Sequence, residues 1–395
     1  MTPYRPLLGS LLVASALAAP SAFAAGPCNA ACEALVRDGH VLSAQGKPGQ
    51  AYDKYMAAAQ AAPQDSQPLA LAAGLMYTQS LTAAPESADK WRSGARDLAT
   101  RAVGLSPEDP VALEVLRGLD DGPSPPLHAP APEAAQRAGQ AEVLFAQRRY
   151  AEALTLYEEA MRADPLYSSA WVFAGDCYYL QKDWVRAEAM FRRAGEIEPH
   201  NGQAWRFLAD ALANQGKHMA AQAALETGIG ADPSQRPNWS KLAALRAADG
   251  LPLKRLALRR GGRVAPAADG KYKVVLDDWV LKTPETPDTA MRLSLALAEA
   301  NGRTAAAGRA IDAYAVELAA WRTALKVAEE LKANTGKAPS DPALLQMQAL
   351  ARDGQLEPAI LILLFRQSYR PALASWMAVH PGGVKAFIDR YGLQP

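Results

Sequence analysis

Residues Ser168–Pro199 read SSAWVFAGDCYYLQKDWVRAEAMFRRAGEIEP. Trp171 is followed by Gly175 and then Tyr178; after a break at Gln181-Lys182-Asp183 come Ala187, Phe191, Ala194 and Pro199. These spacings put an apolar stripe on each of two short helices. Small residues stand where the helices cross and bulky ones fill the gap. A proline, which cannot continue a helix, ends the unit. Stepping back 34 residues from Pro199 gives Pro165, preceded by Ala153, Tyr157 and Ala160 at the offsets of Ala187, Phe191 and Ala194. Stepping forward 34 gives Pro233, preceded by Ala221, Leu225 and Gly228. Trp171, Trp205 and Trp239 fall on the same grid.

These residue types at these offsets resemble the tetratricopeptide repeat (TPR), a helix–turn–helix unit of about 34 residues. Three units in register, plus the first helix of a fourth, predict a central array over residues 134–250. The grid also fits the N-terminal region, where Gly39, Ala51, Tyr55, Ala58 and Pro63 take the same offsets. A second N-terminal unit ends at Pro107, with Ala95 and Ala102 before it; its 44-residue distance from Pro63 implies extra residues near Thr82–Lys90. A helix over Pro110–Leu119 then runs into DGPSPPLHAPAP. That proline-rich run has no apolar periodicity and reads as a semi-rigid linker over 121–133.

Past Gly250 the grid is lost. Leu251–Arg263 holds Lys254, Arg255, Arg259, Arg260 and Arg263 and no acid; it reads as a solvated helix face and turn, with a partner-binding strip as the alternative. Tyr272–Leu281 alternates and suggests a short strand or hairpin within a 251–287 connector. Helices are expected over 288–300, 304–333, 341–353, 357–366, 370–379 and 382–391, with Asn334-Thr335-Gly336 closing the longest. The apolar run Ala359–Phe365 is too short to span a bilayer and reads as the core helix of a domain over 288–395. The expected fold is all-α: a TPR-like helical-hairpin solenoid in two lobes (25–120 and 134–250), followed by a C-terminal helical domain. The last thirty residues resemble the C-termini of exported bacterial TPR proteins, a likeness that implies no activity.

The N-terminus has the layout of an export signal over residues 1–24. Arg5 is the one charge before an apolar run, Leu7–Ala19, and Ala22-Phe23-Ala24 is an A-x-A cleavage site. The alternative is an N-terminal membrane anchor, for which the run is short. An exported protein is expected, periplasmic if the source is Gram-negative, meeting the membrane only through its signal. Without Arg5, 41 basic side chains face 41 acidic ones. That balance argues against nucleic acid or an anionic membrane as main partner, since both reward a basic surplus. Cys28 and Cys32 stand four apart at the start of the mature chain. In an oxidising compartment they are placed for a local disulfide; otherwise they are two thiols one helical turn apart. Cys177, inside a repeat helix, reads as a small buried hydrophobe.

Signatures of catalysis are missing from the sequence. His40, His128, His200, His218 and His380 make no recognised ligand spacing, and no nucleophile-elbow, P-loop or dinucleotide-binding motif occurs. No enzyme activity, cofactor or metal is expected. The acid pairs Asp277-Asp278 and Glu329-Glu330 read as solvated surface.

The TPR resemblance implies a concave groove lined by the first helix of each unit, at repeat positions 2, 5, 9, 12 and 13. Carried over by register, position 9 is Glu142, Asp176 and Asp210, position 12 is Phe145, Tyr179 and Ala213, and position 5 is Ala138, Val172 and Arg206. Asn214 takes position 13 of the third unit. Three recurring acids beside two aromatics make an acidic lane with apolar sockets. Such a lane suits a peptide carrying Lys or Arg between apolar side chains. The alternative is that the acids serve solubility, that Phe145 and Tyr179 pack against neighbours, and that Arg206 pairs with Asp176 or Asp210. The expected function is a non-catalytic envelope adaptor or scaffold. Two other readings stay open: recognition or processing of envelope polysaccharide by the C-terminal domain, and a homo-oligomeric structural protein.

Overall fold

The computed structural model describes residues 28–107, 109–121, 128–267, 271–282, 285–306 and 311–395. The expected signal segment and residues 122–127 of the expected linker lie outside them. Residues up to Arg246 form one compact unit and Ala247–Pro395 a second.

The first unit is built from helical hairpins. In chain order its helices are α1 (Ala30–Ala44), α2 (Pro48–Ala61), α3 (Gln67–Thr82), α4 (Pro85–Leu105), α5 (Pro110–Asp121), α6 (Pro132–Ala146), α7 (Tyr150–Ala163), α8 (Ser168–Leu180), α9 (Trp184–Ile197), α10 (Gly202–Asn214), α11 (His218–Ala231) and α12 (Arg236–Ala248). Helices α1/α2, α3/α4, α6/α7, α8/α9 and α10/α11 pack as pairs, and each pair stacks on the next through α2/α3, α7/α8 and α9/α10. The crossings are tight because a hydrogen replaces a side chain there. A Cβ on Gly39 would stand 2.4 Å from the Tyr55 ring, and one on Gly175 2.5 Å from the Phe191 ring. The periodic tryptophans lock each unit to the turn before it. The indoles of Trp171, Trp205 and Trp239 donate to the carbonyls of Pro165, Pro199 and Pro233 at 3.1, 2.8 and 2.9 Å.

The extra residues of the second N-terminal unit, expected near Thr82–Lys90, lengthen α4, which begins at Pro85 and runs for 21 residues, against 14 in α2. Helix α1 packs on α6, and both belong to the same compact unit.

The second unit opens in extended chain rather than the expected basic helix face. Strand β1 (Lys254–Arg255) pairs in parallel with β4 (Leu393–Gln394), and β2 (Gly262–Pro266) pairs antiparallel with β3 (Tyr272–Leu276). Then follow α13 (Asp278–Leu281), α14 (Pro287–Ala305), α15 (Ala313–Thr335), α16 (Pro342–Arg352), α17 (Leu356–Leu363), α18 (Arg370–Val379) and α19 (Gly383–Tyr391). Gly336 caps α15 in left-handed backbone at φ 72°. Ala359–Leu363 is buried throughout, as expected of a core helix. Helices dominate and the strands are short, so the fold is all-α. Among the described residues no helix is long and apolar enough to cross a membrane.

Candidate binding groove of the repeat array

Helices α6, α8 and α10 present the predicted groove positions, and the structure gives the three position-9 acids unequal surroundings. Asp176 is fully buried, and neither carboxylate oxygen has a hydrogen-bond partner among the described residues. Loss of water pushes its pKa well above the ordinary carboxylate range; Arg206 pulls it back and Asp210 adds to the rise. Asp210 is half-buried and forms an ion pair with Lys241 of α12. Glu142 is half-buried and acts electrostatically on Tyr157.

Arg206 is partly exposed, and no ion pair joins it to either acid among the described residues. Burial pulls its pKa down, while Asp210, Glu114 and Asp176 pull it back up. Its guanidinium lies 5.3 Å from the Phe207 ring centroid. Asn214 is exposed and bridges two neighbours, its amide donating to the Tyr179 hydroxyl at 3.0 Å and to the Asp210 carbonyl at 2.9 Å. Tyr179 stacks edge-on against Trp184 at 4.7 Å, and burial raises its pKa. Phe145 is buried edge-on against Tyr150 at 5.4 Å, so it is a packing residue and offers no open socket. Ala138 and Val172 are fully buried as well. The structure therefore gathers Asp176, Tyr179, Arg206, Asp210 and Asn214 into one connected cluster across α8 and α10. It leaves Phe145 in the array's own core.

Sequence reasoning missed three residues of this cluster. Lys241 stands at position 6 of the fourth unit's first helix, outside the groove positions that the register carries over, and Glu114 and Arg117 of α5 lie outside the array. Glu114 acts on Arg206 and Asp232 acts on Arg117, although these pairs are far apart in sequence. At the N-terminus, Cys28 and Cys32 are joined in a disulfide, leaving Cys177 as a buried free thiol.

The second unit holds a buried charge network rather than an open acid pair. Arg260 donates to Glu317 at 2.5 Å and to Glu299 at 2.8 Å; Arg303 also donates to Glu299, and the Trp321 indole to Glu317 at 2.8 Å. Burial opposes the Glu317 charge, yet Arg260 holds its pKa below the ordinary range. A shallow cleft of about 410 Å³ lies between α15 and α16, lined by Arg322, Lys326, Glu329, Gln348, Arg352 and Glu357. Among the described residues no group of His, Cys, Asp and Glu is placed to hold a metal ion.

Tetratricopeptide-repeat family models match residues 139–201 and 179–245. No curated protein matches the chain. Similar solved structures include the first TPR of Spaghetti bound to an HSP90 peptide, 20% identical, covering 31% of this chain and 98% of that one at a TM-score of 0.29. A TPR protein of Thermus thermophilus is 18% identical, with 55% and 100% coverage and a TM-score of 0.26. YrrB, a TPR protein with an unusual peptide-binding site, is 13% identical, with 54% and 98% coverage and a TM-score of 0.27.

Proposed function

We propose, for a chain whose residues 139–245 are tetratricopeptide repeats, the role of an exported, non-catalytic scaffold that takes up a peptide segment of another envelope protein. The central array is the binding element. Asp176 carries this reading: a fully buried carboxylate at a groove-facing position, with no hydrogen-bond partner among the described residues. A buried acid left in that state is costly, and a lysine or arginine from a partner would supply the missing charge and hydrogen bonds. A stack of packed hairpins holds the cluster rigid, which lowers the ordering cost of binding. Export is supported by the layout of residues 1–24 and by the Cys28–Cys32 disulfide, since disulfides persist in oxidising compartments.

Photo-crosslinking in living cells tests the site. A photoreactive residue at Tyr179 is expected to capture a discrete protein, and one at Val185, exposed on the second helix of the same hairpin, is expected to capture none. The Tyr179 adduct should weaken with Asp176→Asn. Equal capture from both positions, or none from either, would remove the groove as the working site. Intact mass of the protein recovered from cells tests export, with cleavage expected after Ala24.

A further inference from the structure

One glutamine of the second unit is buried without the partner that burial normally requires. Gln348 of α16 is 7% exposed, and its side chain has no hydrogen-bond partner among the described residues. Glutamine is mostly a surface residue, and nearly all buried polar side chains are hydrogen-bonded. The Gln348 side chain lines the cleft of about 410 Å³ between α15 and α16. Its amide is not among the polar atoms shut off from water, so it opens into that cleft.

The rest of the lining divides into apolar and charged parts. Leu356 is buried and Leu325 half-buried, and both face the cleft. Arg322 and Glu357 pair with each other at 3.3 Å, and Lys326 lies 3.8 Å from Glu330. That leaves two lining charges of opposite sign: Arg352, in the last turn of α16, and Glu329 of α15. Neither has an ion-pair or hydrogen-bond partner among the described residues, and they do not pair with each other. All these residues belong to the second unit.

We propose that this cleft is a second binding site, and that its ligand is a short free peptide with both termini charged and an apolar side chain. A primary amide donates and accepts at once, as a peptide group does, so Gln348 matches the main chain of such a ligand. The ligand's ammonium goes to Glu329, its carboxylate to Arg352, and its apolar side chain to Leu325 and Leu356. An uncharged sugar would leave both unpaired charges unused, and a polyanion would meet Glu329 and Glu357. The volume lies toward the low end of small-molecule sites, about 300–1,000 Å³, which suits a few residues and not a docked helix.

Saturation-transfer NMR on the full-length protein tests the site, with the tripeptide Ala-Leu-Ala, its N-acetylated form and its C-terminal amide as probes. The free tripeptide is expected to bind, and each blocked form to bind about threefold more weakly, the scale of an exposed ion pair. Gln348→Met keeps the length of the side chain and removes the amide. Affinity for the tripeptide should then fall about tenfold, while the melting temperature holds or rises, because no internal hydrogen bond is lost. A lower melting temperature with binding intact would make the amide a structural group and overturn the proposal. Glu329→Lys should weaken the free tripeptide and leave the acetylated form unchanged; Arg352→Glu should weaken it and leave the amidated form unchanged. Both residues are exposed, so neither change threatens the fold. No transfer to the free tripeptide overturns the proposal, as do equal affinities for the free and blocked forms. Stronger transfer to N-acetylglucosamine, which brings an amide and no charge, would replace the peptide with a sugar.

Discussion

At Arg148 and Lys182 the backbone is left-handed, with φ of 62° and 63°, at the repeat position where Gly46 and Gly216 stand with φ of 71° and 74°. The turn between the two helices of a hairpin demands this conformation every 34 residues, whatever residue occupies it. Side chains with a Cβ resist it by roughly 1 kcal/mol or more. Lys182→Gly is therefore expected to stabilise the protein by up to about 1 kcal/mol, part of the gain being offset by glycine's freedom in the unfolded chain. The urea midpoint would show it, and an unchanged or lower midpoint would refute it. Gly175→Ala should act the other way, since its Cβ would meet the Phe191 ring at 2.5 Å. A loss of about 1–3 kcal/mol is expected from such overpacking. Asp176 links stability to pH. Its folded pKa is raised by burial, so between the unfolded value near 4 and the folded value the native state holds the extra proton. Its contribution is full below about pH 4 and falls as pH rises through the folded pKa. Asp176→Asn should raise the melting temperature at pH 7–8 and change it little near pH 4. Equal effects at both would mean that the carboxylate is not desolvated.

Elements in this chain keep their register by different means. In the first unit the hairpin is the element that repeats, and an insertion in one copy is absorbed by lengthening α4 without disturbing the crossing at α3. In the second unit, elements remote in sequence are tied by charge: Arg260, in the extended segment before β2, joins Glu299 of α14 to Glu317 of α15. Glu317 and Glu299 are 2% and 5% exposed, so removing the guanidinium would leave Glu317 with the Trp321 indole in place of a cation and Glu299 with Arg303 alone of its two close arginines. Arg260→Ala should cost about 3–5 kcal/mol, the usual penalty for breaking a buried pair from one side. Arg259→Ala, on the neighbouring side chain that stacks 4.3 Å from the Trp279 centroid, should cost about 1 kcal/mol. Comparable losses from the two changes, read by chemical denaturation, would mean that the network carries no special weight.

Across the whole molecule, two compact units with separate cores predict two calorimetric transitions. Arg260→Ala should lower one of them by about 10 °C, given the stability loss expected for a unit of that size, and leave the other in place. A single transition that moves as a whole would contradict independent cores. The sequence by itself determined the helical hairpins, the period, the small and bulky residues at the helix crossings, and most of the C-terminal helix limits. These features rest on contacts within one unit or between adjacent units, and such contacts recur at a fixed spacing that composition cannot hide. The second unit's first segment was misread because charge density alone does not distinguish a solvated helix from extended chain anchored by β4 and by Glu317. Only the tertiary structure decided the state of the groove: Asp176 cut off from water, Asp210 taken by Lys241, and Phe145 turned into the core. Periodicity reports which side of a helix faces the groove. What stands opposite that side depends on how distant parts of the chain dock, and docking leaves no repeating trace in the sequence.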